Sequence, residues 1–537
     1  MKGLFGFTKT AFFLTLLLSS IITETAEKSF LASENLHSNL RTLEEANMRR
    51  SGILMHITSL PSKYGIGTLG EEAYKFVDFL VKAKQRTWQM LPIQPTGYGD
   101  SPYQAASTFA GNPYLIDLDI LIGEKLLKQE EVTSINWGND PHYVDFGNMF
   151  VKRYEVLKKA FDRFKPNKDF ENYVKSQKDW IEDYALFMAL KEKFGYKPWT
   201  EWPEDLKRHK ESALKKYRTE LKATINFHYF LQFKFEQQWN NLRNYAKSKG
   251  IALIGDVPIY VPMDNSDAWA TPEHFQLDKN GNPTGVAGVP PDAFTADGQL
   301  WGNPLYDWDR MKKDNFKWWI KRLRATGNKF DIIRIDHFRG LESYWNVPAK
   351  DTTARNGRWV KGPGVDFIKA IHEQLSDIDF IAEDLGYLTP EVLYLREYSK
   401  YPGMKILQFA FDSREPSNYL PHTYERNTVC YTGTHDNDTI MSWQKALTKE
   451  DRSYAENYLG VKPGEDLRWP LLKAGMASVS NLFVAQLQDY LGLGAEARMN
   501  RPGIMDGKNW IWRAVPGQIN DDLANSIAYI TTLYGRY

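Results

Sequence analysis

The chain has 537 residues, 42% hydrophobic, 25% charged and 14% aromatic, a composition that excludes a disordered or collagen-like polypeptide. The 68 basic and 67 acidic residues leave a formal net charge of +1, without the basic footprint that a nucleic-acid partner imposes. A single cysteine, Cys430, excludes an internal disulfide and any cysteine-based zinc site.

The predicted elements begin with a targeting segment. Lys2 and Lys9 flank the start of an apolar run, 11–22, which has the length of a signal-peptide hydrophobic region and is too short to span a bilayer comfortably. The sequence Thr23-Glu24-Thr25-Ala26 is a mediocre cleavage site. The pattern predicts a signal-like segment over 1–26 and a polar leader or linker over 27–50. No later stretch is apolar enough to span a membrane. We expect a presequence-directed protein with a soluble mature domain, bound for a plastid-type organelle through a secretory signal, or for the secretory lumen or exterior. The lack of disulfides favours an organelle interior.

Eight short apolar or β-branched runs follow, at 52–60, 87–93, 251–260, 330–337, 380–384, 404–411, 428–434 and 509–514. Helix-patterned segments separate many of them, among them 71–83, 316–324, 365–375 and 389–396. Strands alternating with helices predict parallel βαβ units, and eight of them predict an α/β fold closed as a (β/α)8 TIM barrel. Residues 51–537 would form that catalytic domain. Two large insertions interrupt the rhythm on the catalytic face: a charged, helical one at about 125–249, and a Pro-, Gly-, Asp- and Asn-rich one at 262–308, read as a long irregular lid loop.

The fourth run, Phe330-Asp331-Ile332-Ile333-Arg334-Ile335-Asp336-His337, carries the first candidate acid. Side chains alternate along a strand, so Ile333 and Ile335 face the outer helices while Arg334 and Asp336 point together into the barrel mouth. A guanidinium beside a carboxyl favours its ionised form, which suits a nucleophile. The fifth run places Glu383 near its C-terminal end. Neighbouring strands lie about 4.8 Å apart, so Asp336 and Glu383 at one level are expected about 5–5.5 Å apart, the separation of a retaining nucleophile and acid/base pair. The seventh run supplies Asp436 with His435 beside it. One acid at a strand end is usually a cap; three at strand ends, with an inward Arg and an adjacent His, point to catalysis.

Three motifs, Arg334-Ile335-Asp336-His337-Phe338-Arg339-Gly340, Ala382-Glu383-Asp384-Leu385-Gly386 and Gly433-Thr434-His435-Asp436-Asn437, resemble those of the amylomaltase or disproportionating-enzyme family. These are 4-α-glucanotransferases of glycoside hydrolase family 77. The likeness covers roughly residues 50–537 in family order and includes Gly97-Tyr98-Gly99-Asp100-Ser101-Pro102-Tyr103-Gln104, Gly255-Asp256, Gln299-Leu300-Trp301 and Arg498-Met499-Asn500. It implies Asp336 as nucleophile, Glu383 as general acid and then base, and Asp436 as transition-state stabiliser, assisted by Arg334 and His435. It further implies glucan contacts at Ser101, Tyr103, Gln299, Trp301, Asn500 and Tyr98. Asp256, at the end of the third strand, is read as either a substrate contact or a rim hydrogen bond. The implied partners are α-1,4-glucans and maltooligosaccharides, with no cofactor and no metal; the ten histidines show no H-E-x-x-H or comparable spacing. A lid at 287–304 that excludes water would favour transfer over hydrolysis.

Three rival readings fit parts of the sequence. A hydrolase with the same triad is the nearest. An inactive glucan-binding protein conflicts with the complete triad. A dinucleotide site at Gly65-Ile66-Gly67-Thr68-Leu69-Gly70 conflicts with the four residues between the strand and the glycines, and with the missing acid on the second strand.

Overall fold

Eight short strands pair in parallel, each with its neighbour in sequence. They are β1 (Arg50–Leu54), β2 (Thr87–Gln89), β3 (Ala252–Pro258), β4 (Ile332–Asp336), β5 (Asp379–Ala382), β6 (Gly403–Ile406), β7 (Thr428–Tyr431) and β8 (Leu482–Gln486). The sheet runs β6-β7-β8-β1-β2-β3-β4-β5, and the Ala382 amide donates to the Pro402 carbonyl at 3.0 Å to bring β5 against β6. The computed structural model is therefore a (β/α)8 barrel; it describes residues 49–97, 99–291 and 295–537. The signal-like segment, nearly all of the predicted leader, and Tyr98 lie outside the described residues. Arg50, assigned to the leader from the sequence, is the first residue of β1.

Both faces of the strands are buried, as parallel sheets require. Ile53, Trp88, Leu253, Ile333, Ile381, Val429 and Phe483 are all covered. Gly52 is required where β1 meets β2: a Cβ there would lie 1.8 Å from the Thr87 hydroxyl. Helices close the outside. Glu71–Lys82 buries Ala73, Phe76, Val77, Phe79 and Leu80 at helical spacing, and Glu71 and Glu72 sit where the helix dipole favours acids. Gly70 caps that helix in extended conformation, and Gly67 packs so closely on Ile57 that no side chain fits, so these glycines serve packing.

The eighth strand differs from the sequence reading. It is Leu482–Gln486, and 509–514 pairs only through an isolated bridge between Trp512 and Tyr143. The alternating aromatics Trp510 and Trp512 imitate a strand, but both are buried as padding beneath the catalytic face.

Residues 125–249 hold a series of helices that ends in the 27-residue helix Lys222–Ser248. That helix buries Phe227, Phe230, Leu231, Phe235, Trp239 and Leu242. Its Gln232 and Gln238 accept from the Gly111 and Asp117 amides, both at 2.7 Å. The stretch 262–308, expected to be irregular, is partly regular. It contains the short helix Ser266–Ala270 and the strands Gly285–Val289 and Gln299–Pro304. Those strands join Ser343–Pro348 and Arg358–Lys361, from the excursion after β4, in a four-stranded antiparallel sheet. Its glycines and prolines read as loop signals in sequence, and tertiary pairing overrides them.

Candidate active site

The parallel register sets the site. Asp256 on β3 lies opposite Arg334 on β4, Pro258 opposite Asp336, and Ile335 opposite Ala382 on β5, so Asp336 and Glu383, each one residue past the last β4–β5 pair, stand at one level. Parallel partners point the same way, so all four polar side chains aim into the barrel mouth. Ile333, Ile335, Phe380 and Ala382 pack outward with Trp319 and Leu323. The alternation expected from the sequence holds.

Arg334 organises the floor. Its Nη1 donates to Asp256 Oδ2 at 2.6 Å and to Asp336 Oδ1 at 2.9 Å. The Arg334 side chain is 4% exposed and that of Asp256 0%, whereas Asp336 keeps 27%, so Asp336 is the member of this group that a ligand can reach. Burial pushes the Asp256 carboxyl up to about 7, opposed by Arg334, and the Tyr103 hydroxyl donates to Asp256 Oδ2 at 2.8 Å. Of the two readings left open for Asp256, the geometry favours the hydrogen-bonded one: it holds Arg334 and Tyr103 from beneath.

Glu383 is held from two sides by backbone. The His337 amide donates to Oε2 at 2.7 Å and the Leu385 amide to Oε1 at 2.9 Å. His337 has a left-handed backbone, φ 53°, uncommon for a residue with a side chain. The turn lets the residue after Asp336 present its amide to Glu383. Burial pushes the Glu383 carboxyl up to about 7, and the Asp336 charge adds to the rise, against Arg334 and the two amides. The arrangement yields one carboxyl paired with a guanidinium and a neighbour that carries a proton near neutral pH.

Asp436 stands on the loop after β7, its side chain 44% exposed. Asn500 Nδ2 donates to its Oδ1 at 2.6 Å, and His435 Nε2 lies 3.3 Å from the same oxygen. Burial holds the His435 imidazole below its ordinary value, opposed by the Asp436 charge. The His435 ring stacks on Tyr103, centroids 5.0 Å apart at 17°. Trp510 packs against both rings, and Arg498 donates to the Asp436 carbonyl at 2.7 Å. Ser101 Oγ accepts from the Tyr103 amide at 3.2 Å. Trp301 meets His337 edge-on at 4.8 Å, and its Nε1 donates to Gln299 Oε1 at 3.2 Å. The strand Gln299–Pro304 thus reaches the residue next to Asp336.

Asp336, Glu383, Asp436, Arg334, His435, Tyr103, Asp256 and Asn500 are joined through direct contacts or shared neighbours, and Trp301 with Gln299 reaches them from the accessory sheet. Ser101 is tied to the cluster through the Tyr103 amide. Trp510 and the amide of His337 were missed. Trp510 stood inside a run read as a strand, and a backbone donor leaves no trace in side-chain identity.

Comparison with known proteins decides the family. The family model described as 4-alpha-glucanotransferase matches residues 55–517. The chain belongs to this family. A curated 4-alpha-glucanotransferase of Clostridium butyricum is 47% identical over 486 residues, 90% of this chain and all of that one. A chloroplastic/amyloplastic 4-alpha-glucanotransferase of Solanum tuberosum is 40% identical over 91% of this chain and 86% of its own. The amylomaltase of Streptococcus agalactiae, solved in complex with acarbose, superposes with a TM-score of 0.89 at 43% identity, covering 91% of this chain and 99% of that one. The enzyme is thus a glycosyltransferase-type 4-alpha-glucanotransferase, and the hydrolase alternative has less support.

Proposed function

We propose that this 4-alpha-glucanotransferase moves α-1,4-glucan segments between maltooligosaccharides, or to glucose, by a retaining double displacement on Asp336 and Glu383. The observation that carries the reading is the divergence of two carboxyls on neighbouring strands, Asp336 against Arg334 at 2.9 Å and Glu383 pushed up to about 7. In the first step an Asp336 oxygen attacks the anomeric carbon. The glycosidic bond breaks, its electron pair stays on the leaving oxygen, and that oxygen takes the proton of Glu383. In the second, the acceptor hydroxyl gives its proton to the Glu383 carboxylate while its oxygen displaces Asp336. Asp436, oriented by Asn500 and His435, bonds sugar hydroxyls and stabilises the positive charge that develops on the ring. Tyr103, Ser101, Gln299 and Trp301 line the glucan path.

Incubation with maltotriose tests this. Glucose plus products longer than maltotriose are expected, whereas hydrolysis alone yields only shorter ones. Asp336→Asn is expected to lose several orders of magnitude in rate; near-normal transfer by that variant contradicts the assignment.

In this reading residues 1–26 are the signal-like segment and those that follow, up to the start of β1 at Arg50, are the leader; the chloroplastic/amyloplastic relative supports a plastid-type destination. A fluorescent protein carrying residues 1–49 should enter that organelle, and delivery to the secretory lumen or the exterior would contradict it.

A further inference from the structure

Asp489 has no exposure, and no step above uses it. It lies on the short helix Leu487–Leu491 that directly follows β8. A buried carboxyl is costly unless it is well hydrogen-bonded. Asp489 accepts from the Thr432 hydroxyl through Oδ2 at 2.6 Å and from the Ile440 amide through Oδ1 at 2.7 Å. Thr432 is the first residue past β7, and Ile440 opens the helix Ile440–Ala446. The segment between them is Gly433-Thr434-His435-Asp436-Asn437-Asp438-Thr439, so one carboxyl group ties both ends of the loop that carries Asp436 and His435.

Other contacts hold the middle of that loop. Asn437 Oδ1 accepts from the Thr434 amide at 2.8 Å, Gln408 donates to the Asp438 carbonyl at 2.7 Å, and Arg498 to that of Asp436 at 2.7 Å. Gln408 and Arg498 reach in from outside the loop, so with the ends clamped as well these bonds fix the height of Asp436, whereas with the ends free the segment hangs on its middle contacts alone. Burial pushes the Asp489 carboxyl up to about 7, helped by the Asp438 charge and eased by Thr432 and Ile440, so the group is kept buried at a desolvation cost at the base of the loop that carries Asp436.

We infer that Asp489 is a positioning residue that sets the rate of both transfer steps through Asp436 without touching the glucan. The inference rests on the stabilising role proposed for Asp436.

A double-mutant cycle tests it, using the full chain, α-glucosyl fluoride as donor and maltose as acceptor, at a temperature where every variant is folded by circular dichroism. Asp489→Asn keeps the shape but loses one acceptor. It is expected to lower kcat about 10²-fold, the scale of a 1 Å misplacement, with the acceptor KM little changed. On an Asp436→Asn background the same substitution should cost no more than about twofold, since the group it positions is already gone. Full kcat in Asp489→Asn, or an equal loss on both backgrounds, overturns the inference. Thr432→Val, which removes the 2.6 Å donor, carries the same cycle if Asp489→Asn does not fold. Wild-type activity in Asp436→Asn would overturn the role of Asp436 itself, a separate failure visible in the single variant.

Discussion

Arg334 makes the chemistry of the site depend on charge placement more than on any single acid. It pairs with Asp256 beneath and Asp336 above, while Glu383, one strand over, is held up to about 7 chiefly by burial. The first step needs Glu383 protonated. The rate of glycosyl-enzyme formation should therefore be full below about pH 7 and fall as pH rises through it. Because Asp256 is pushed into the same range, the observed value belongs to the group of interacting carboxyls. Glu383→Gln, assayed with an activated donor that needs no proton, should lose that alkaline limb; a limb that persists would assign it elsewhere. The acids, Arg334 and His435 were legible because strand alternation and motif identity both point at side chains. The amides of His337 and Leu385 that cradle Glu383 were not, because a hydrogen bond from backbone depends on φ and ψ rather than on residue type.

Among the elements, strands at the ends of hidden registers were the hardest to read. β8, Leu-Phe-Val-Ala-Gln, is a run of four apolar residues and a glutamine that flows straight into a helix, and periodicity cannot separate so short a strand from a helix start. The run 509–514 sets Trp510 and Trp512 two apart as a strand would, yet Trp510 packs its ring against Tyr103 and His435. The accessory sheet was invisible for another reason: it joins one hairpin from the excursion after β3 to one from the excursion after β4, and the central pairing between them forms only once the barrel brings them together. That sheet carries Trp301 to His337, so it is where water exclusion can be tested. Shortening the segment between Gly285–Val289 and Gln299–Pro304 should raise the ratio of glucose released to oligosaccharide formed from maltotriose. An unchanged ratio would remove the sheet from control of the acceptor.

Across the whole molecule, the barrel separates stability from function by its two ends. At the end opposite the site, the buried Arg536 donates to the carbonyls of Met476 at 2.7 Å, Ser478 at 2.7 Å, Ser480 at 3.0 Å and Arg50 at 3.0 Å. It thereby ties the C-terminus to the start of β1 and the turn before β8. Arg536→Met leaves those carbonyls without that donor, at about 1–3 kcal/mol each where no water reaches. The unfolding midpoint should fall clearly while kcat per folded molecule stays near wild type; the reverse pattern would break the division. The barrel itself was legible from the alternation of strands and helices. This latch was not, since an arginine next to the last residue reads as an ordinary tail.

The proposed mechanism turns on a covalent bond between glucan and Asp336, and trapping that bond tests it most directly. Glu383→Gln treated with an activated 5-fluoro-α-glucosyl donor, digested and sequenced by mass spectrometry, should carry one glucosyl group on the peptide containing Asp336. Unmodified protein, or a sugar attached to Asp436 or any other residue, would contradict the account.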